Sequence, residues 1–238
     1  MGKVLINRDP KSPIAEAYRT LRTNIQFSSI DKTIQTLVVT SSGATEGKST
    51  TAVNIAASFT QMGKKVVLVD ADMRRPRLAK IFDLNNRDGL SNVLFEKSDV
   101  HKRIRTVDGA NVLPAGPIPP NPAEILSSDR MKKVIEQLKE EYDYVIVDSP
   151  PISYVTDGAI LSSICDGTLL VVAAGQTDQR MAVAAKEQLD KVSANIIGVV
   201  LTKIPMKGKG YYKYHYSSAY SYQEENKKKT KKKSKLGQ

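Results

Sequence analysis

The chain of 238 residues has no tryptophan and a single cysteine, Cys165. One cysteine excludes an internal disulfide and a cysteine-rich metal site. Its surroundings, ILSSICDGTLLVV, are mostly apolar, so a buried, unpaired thiol is expected, in keeping with a reducing, cytosolic setting. No apolar run approaches the roughly 18 residues that a membrane-spanning helix needs. The opening MGKVLINRDP holds no apolar core of a secretory leader, and none is expected. Acidic residues are scarce at the end of the chain. From Lys207 to Gln238 ten lysines face only Glu224 and Glu225, a net +8 out of +11 for the whole. The preceding 206 residues carry about +3. The body is therefore nearly neutral and the tail is a polycation. Such a tail suits a solvated extension, an anionic membrane surface or a nucleic acid.

What fills the body is regular. Ser12 before Pro13 reads as an N-cap and first helical residue. Ile14, Tyr18, Leu21 and Ile25 then recur at helical steps, giving a helix over about 12–27. Short apolar runs follow at TLVVTSS (36–42), KVVLVDAD (65–72), NVLPAG (111–116), YDYVIVDSPP (142–151), GTLLVVAAG (167–175) and NIIGVVLTK (195–203). Helical patterns lie between them. One is VNIAASFTQM, ended by Gly63. A second runs from Ala123 to about Glu141 after the rigid loop PIPPNP (117–122). A third runs from Asp178 to Val192, with Met181, Ala185, Leu189 and Val192 on one face. Strands apolar on both faces, alternating with helices, predict a doubly wound, mainly parallel α/β sheet with helices on both faces. One domain is expected over 1–206, followed by a tail over 207–238. Ligands of such sheets bind at the carboxyl ends of the strands.

Three motifs stand at that edge, each directly after a strand. Ser42-x-x-x-x-Gly47-Lys48-Ser49, between a strand and a helix, is a Walker A turn in its required context, with Ser42 where glycine is usual. Gly43, Ala44, Thr45, Glu46, Gly47, Lys48, Ser49 and Thr50 form the expected phosphate cradle. Its backbone N–H groups and the helix N-terminus attract anionic oxygens. Lys48 would reach the β- and γ-phosphates of ATP, and the Ser49 hydroxyl would ligate Mg²⁺. In VVLVDADMRRP, Asp70 and Asp72 end a strand two residues apart, on the same side. In YVIVDSPP, Asp148 takes the Walker B position, a magnesium ligand usually acting through water. Three carboxylates converging there would repel one another unless a metal stood between them.

Together these residues resemble the bacterial tyrosine kinases, the cytoplasmic P-loop kinases associated with capsule and exopolysaccharide synthesis. The turn at 42–49, VLVDADMRRP (67–76), the strand at 144–148 and AGPIPPNPAEIL (115–126) carry the resemblance, with Glu16-x-x-Arg19-x-x-Arg22 and a terminal tyrosine cluster. It spans residues 12 to about 222. The cluster, GYYKYHYSSAYSY, puts Tyr211, Tyr212, Tyr214, Tyr216, Tyr220 and Tyr222, six of the ten tyrosines, within twelve residues.

The resemblance implies an ATP- and Mg²⁺-dependent protein-tyrosine kinase. It would autophosphorylate this cluster in trans and phosphorylate other proteins. Lys48, Asp70, Asp72 and Arg74 would form the catalytic set, with Asp70 accepting the tyrosine proton, while Ser49, Asp72 and Asp148 would hold the metal. Glu16, Arg19 and Arg22 fall within about 120° of helical arc, off the apolar stripe. The resemblance makes them the contact that builds a homo-oligomeric ring. A separate transmembrane activator is also implied, whose cytoplasmic end recruits the chain to the inner face of the cell membrane. The basic tail offers a further hold on that surface, and nucleic acid is not an expected partner. The rival reading is a septum-positioning or plasmid-partition ATPase. Those open the phosphate loop with Lys-Gly-Gly, and the matching first-lysine position here is Gly43.

Overall fold

A computed structural model describes residues 4–28, 33–107 and 109–205. The tyrosine cluster and the lysine-rich tail lie outside the described residues. The chain opens with α1 (Leu5–Arg8) and α2 (Pro13–Gln26), then β1 (Thr36–Ser41), α3 (Lys48–Thr60) and β2 (Val66–Asp70). Next come α4 (Leu78–Ile81), α5 (Leu90–Glu96), a 3₁₀ turn (Val100–Arg103), β3 (Arg105–Val107) and β4 (Ala110–Leu113). The remainder is α6 (Pro122–Leu126), α7 (Asp129–Glu141), β5 (Tyr144–Asp148), α8 (Asp157–Ile164), β6 (Gly167–Ala173), α9 (Gln179–Lys191) and β7 (Ile196–Thr202).

The strands form one sheet in the order β3-β4-β2-β5-β1-β6-β7. All pairs are parallel except β3 with β4. The β-branched runs make this possible, because a strand buried on both faces needs apolar side chains at every step. Their period of two divides the core. Leu37, Val39, Leu68 and Ile146 join Ile55 and Phe59 of α3 on one face. Val38, Val67, Val69, Val145 and Val147 join Met131, Val134 and Leu138 of α7 on the other. Phe59 stacks on Tyr144, ring centroids 3.8 Å apart. Among the described residues no helix is long and apolar enough to cross a membrane.

The helix over 12–27 is present, and the Ser12 side chain accepts from Ala15 N–H as an N-cap. Its buried stripe is rotated from the expected one. Ala15 and Ile25 are buried, Tyr18 and Leu21 pack partly, and Ile14 is 38% exposed. Other departures concern whole elements. The helix expected from Ala123 to Glu141 is two helices, because Ser127 and Ser128 interrupt it and Ser128 caps α7. Helix α8 and the antiparallel edge strand β3 were not expected from the sequence. β2 and β5 run in register with Asp70 opposite Asp148, so both carboxylates reach the same edge of the sheet.

Candidate active site

The site is built at that edge. β1 delivers the chain into the turn 42–47, and α3 begins at Lys48. Gly47 takes φ +100°, a left-handed conformation that suits glycine, at the start of α3. The turn is tied down from outside. Ile152 N–H donates to Ser41 O at 2.8 Å, and Ser41 Oγ donates to Gly43 O at 2.7 Å. A cleft of about 300 Å³ opens in front of it, lined by Ala44, Thr45, Gly47, Lys48, Ser49 and Thr50. Asp72, Arg75, Arg77, Ile81 and Pro151 form the remaining lining.

Lys48 is the electrostatic centre. Its ammonium donates to Asp72 Oδ2 at 2.8 Å and to Asp148 Oδ1 at 3.4 Å. Burial by itself would lower its pKa. The pull of Asp148 and Asp72 holds it above the ordinary lysine range. Burial pushes the Asp148 carboxyl up, a rise that Lys48 and the Ser49 hydroxyl only partly offset. Asp70 is fully buried. Its Oδ2 accepts from the backbone N–H groups of Arg77 and Leu78, both at 2.9 Å. Burial, with Asp148 adding to it, pushes its carboxyl up to about 8, against those two N–H groups. Asp72 Oδ1 accepts from Arg75 N–H at 3.0 Å, so both aspartates also fix the turn that follows them.

The three carboxylates do not meet as a bare cluster. Among the described residues no group of three or more His, Cys, Asp or Glu is suited to hold a metal by itself. Lys48 occupies the space between Asp72 and Asp148. A magnesium ion fits in another way, since it commonly uses one or two carboxylates plus substrate phosphates and water. Asp148 Oδ2 is buried without a hydrogen-bond partner, an acceptor left open beside Ser49 and Asp72.

The predicted residues divide accordingly. The loop residues Ala44, Thr45 and Gly47 to Thr50, together with Asp72, line the cleft, while Asp148 and Asp70 stand behind it. Gly43 and Glu46 belong to the turn without lining the cleft. Arg74 is turned away. Its guanidinium grips buried Asp157 at the start of α8, Nε to Oδ2 at 2.9 Å and Nη2 to Oδ1 at 3.1 Å. Arg75 and Arg77 face the cleft in its place. The charged triple of α2 lies elsewhere, with Arg19 paired to Glu16 at 3.0 Å and Arg22 donating to Ser58 O at 2.9 Å. Sequence reasoning missed Asp157, Arg75, Arg77 and Pro151. The run of three arginines in RRPR was the available signal for two of them.

A family model described as an AAA domain matches residues 34–177. The tyrosine-protein kinase YwqD of Bacillus subtilis is 42% identical over 214 residues, 89% of this chain and 90% of that protein. The putative tyrosine-protein kinase CapB of Staphylococcus aureus is 38% identical, covering 91% of this chain and 96% of its own. The chain belongs to the bacterial tyrosine-protein kinases. Its fold agrees, since the solved kinase domain of the Escherichia coli tyrosine kinase ETK superposes on this kinase with a TM-score of 0.83. That match is 32% identical and covers 90% of this chain and 84% of the other. The kinase is a protein-tyrosine kinase on a P-loop scaffold, and the positioning-ATPase reading is set aside.

Proposed function

We propose that this kinase uses ATP and Mg²⁺ to phosphorylate Tyr211, Tyr212, Tyr214, Tyr216, Tyr220 and Tyr222 of a neighbouring copy, and tyrosines of other proteins. The role that suits it is control of capsule or exopolysaccharide synthesis at the inner face of the membrane. One observation carries the chemistry. The Lys48 ammonium lies between Asp72 and Asp148 in the cleft in front of a phosphate-binding turn.

Before nucleotide binds, the two carboxylates hold Lys48 and neutralise it. A triphosphate entering the cradle competes for that cation, because phosphate oxygens carry more charge than either carboxylate. Lys48 then turns to the β- and γ-oxygens, and Asp72, Asp148 and the Ser49 hydroxyl are free to hold the metal. Bound there, Mg²⁺ would offset charge on the phosphate oxygens during transfer. Arg75 and Arg77, which also line the cleft, add positive charge. Most of the rate in phosphoryl transfer comes from such positioning and charge offset.

A phenol has a pKa of about 10, so the acceptor needs a base or loses its proton late. Asp70 suits the role of base. Its Oδ1 has no partner and its pKa stands near 8. It lies behind Asp72, so a water must carry the proton between phenol and carboxylate. The acceptor segment comes from another copy in a ring built through Glu16, Arg19 and Arg22. A transmembrane activator stimulates the ring, and the lysine-rich tail adds membrane affinity.

The full chain, incubated with labelled ATP and Mg²⁺ and with the activator's cytoplasmic segment added or omitted, tests the reading. Acid-stable label mapped by mass spectrometry to 211–222, increased by the activator, is the expected result. ATP hydrolysis without protein-bound phosphate would contradict it.

A further inference from the structure

A carboxylate inside a phosphate cradle is an unfavourable choice on charge alone, since it faces an incoming polyanion. Glu46 stands two residues before Lys48 and is 6% exposed. Its side chain points away from the cleft and into a cage of hydroxyls. Ser42 Oγ donates to both of its oxygens, at 2.9 and 2.8 Å. Thr177 Oγ1 donates to Oε1 at 2.6 Å and accepts from Ala173 N–H at 3.0 Å. Thr177 is thereby anchored to the end of β6. Thr202, the last residue of β7, donates its hydroxyl to the Glu46 backbone carbonyl.

The same turn has local reasons to need holding. Thr45 takes φ +62°, a left-handed conformation unfavourable for a non-glycine residue. At Gly47, a Cβ would stand 3.4 Å from the Thr202 methyl. At Gly43, a Cβ would stand 3.1 Å from Glu46 Oε1. A side chain there would press on the carboxylate, so the absence of a lysine at 43 and the presence of Glu46 fit one design.

We propose that Glu46 is a positioning residue, whose carboxylate is a latch that holds the phosphate cradle in its binding shape by tying it to Thr177 at the end of β6, while its backbone carbonyl is held separately by Thr202 of β7. Hydrogen bonds to a carboxylate are among the stronger ones. The latch sets the cradle before nucleotide arrives, so its effect is on nucleotide affinity and not on the transfer step. It rests on the nucleotide-binding reading above.

Two physical effects oppose each other when Glu46 is removed, and their sign decides. Losing a negative charge beside a triphosphate tightens binding, whereas losing the latch weakens it. Thr177→Val cuts the latch without changing charge. The full chain with Mg²⁺ is titrated with a fluorescent ATP analogue, followed by steady-state kinetics on a tyrosine peptide and by thermal melts. Glu46→Ala is expected to weaken analogue binding about tenfold, and Thr177→Val severalfold. The double variant should be no weaker than Glu46→Ala. Glu46→Gln, which keeps an acceptor oxygen, should stay within about threefold of the parent chain. At saturating ATP the kcat of each should change less than about twofold, with the loss confined to the KM for ATP.

Unchanged or tighter binding in Glu46→Ala would overturn the latch, and so would a fall in kcat with unaltered affinity. If Glu46→Ala melts too low to assay, Thr177→Val alone decides, and parent-like binding by it overturns the proposal. Failure of the parent chain to bind the analogue would instead sink the nucleotide reading beneath it.

Discussion

Lys48 shows how much a single residue is asked to hold. From the sequence it is part of an open loop, but in the fold it is 8% exposed and pinned between two carboxylates. Lys48→Met should therefore do two things. Phosphate transfer should fall to background, and the nucleotide-free chain should lose stability, because Asp72 and Asp148 lose their cation. The cost of breaking such a buried set is about 2–4 kcal/mol, which corresponds to a drop of roughly 5–15 °C in melting temperature. A calorimetric scan checks the second effect, and a parent-like melt would show that the pair contributes no net stability. Cys165, expected to be buried, is half-buried at the edge of the core. Burial pushes its thiol up to about 12, above its value in the unfolded chain. Its contribution to stability is thus constant at neutral pH and is lost as pH rises past the unfolded thiol's value of about 8.5. In the native state at pH 8, reaction with a chromogenic disulfide should be slower than in denaturant, because the raised pKa leaves less thiolate. Equal rates would show that the thiol is accessible.

At the scale of elements, the ion pair of Arg74 with Asp157 joins the turn after β2 to the start of α8. Asp157 has no exposed side-chain surface, whereas the Arg74 side chain is 40% exposed. Arg74→Ala should destabilise by about 2–4 kcal/mol by stranding a buried carboxylate, and adding Asp157→Ala should recover part of that loss. Chemical denaturation of the two single variants and the double variant measures the coupling. Additive losses would mean that the pair is unimportant. Helix α2 separates two roles in the same way. Arg22 satisfies the Ser58 carbonyl near the end of α3, so Arg22→Ala should lower the melting temperature by a few degrees. Arg19 pairs with Glu16 and also donates to the Pro10 carbonyl at 2.6 Å, and both contacts lie near the surface, so joint replacement of Glu16 and Arg19 by alanine should lower the melt by at most a few degrees. If they form the ring contact, light scattering should show smaller species.

The strands were legible because unbroken β-branched runs leave few alternatives, and the phosphate turn was legible from its spacing. Helix α8 was not, because it is only eight residues long and its Gly158, Ser162 and Ser163 are weak helix formers. The break at Ser127 and Ser128 was hidden inside a helical pattern on both sides. The orientations of Arg74, Arg75 and Arg77 depend on Asp157, which lies 83 residues beyond Arg74, and on the backbone bonds to Asp70 and Asp72. Contacts at that separation leave no trace in local sequence. The same holds for Glu46 and its partner Thr177, 131 residues away.

Considered as a whole molecule, the kinase joins a nearly neutral body to a tail of net charge +8 that carries six of its ten tyrosines. Each phosphate adds about −1.5 to −2 charges at neutral pH. Six would bring roughly −9 to −12 and turn the tail from cation to anion. If the tail docks at a cleft with Asp72 at its wall and ATP inside, it would then be repelled, and any hold of its lysines on anionic lipid would weaken. Assemblies sized before and after ATP treatment, with a phosphatase control, should shrink on modification, and a ring that persists when fully phosphorylated would refute the charge switch. The central claim is that one copy's tail is the substrate of another copy's cleft. It is tested most directly by mixing two chains, one truncated after residue 206 with Lys48 intact, the other full length and carrying Lys48→Met. With ATP and Mg²⁺, phosphotyrosine should appear on residues 211–222 of the full-length inactive chain and increase with the amount of truncated chain. No label on that chain, while the intact parent labels itself at a rate independent of concentration, would contradict transfer between copies.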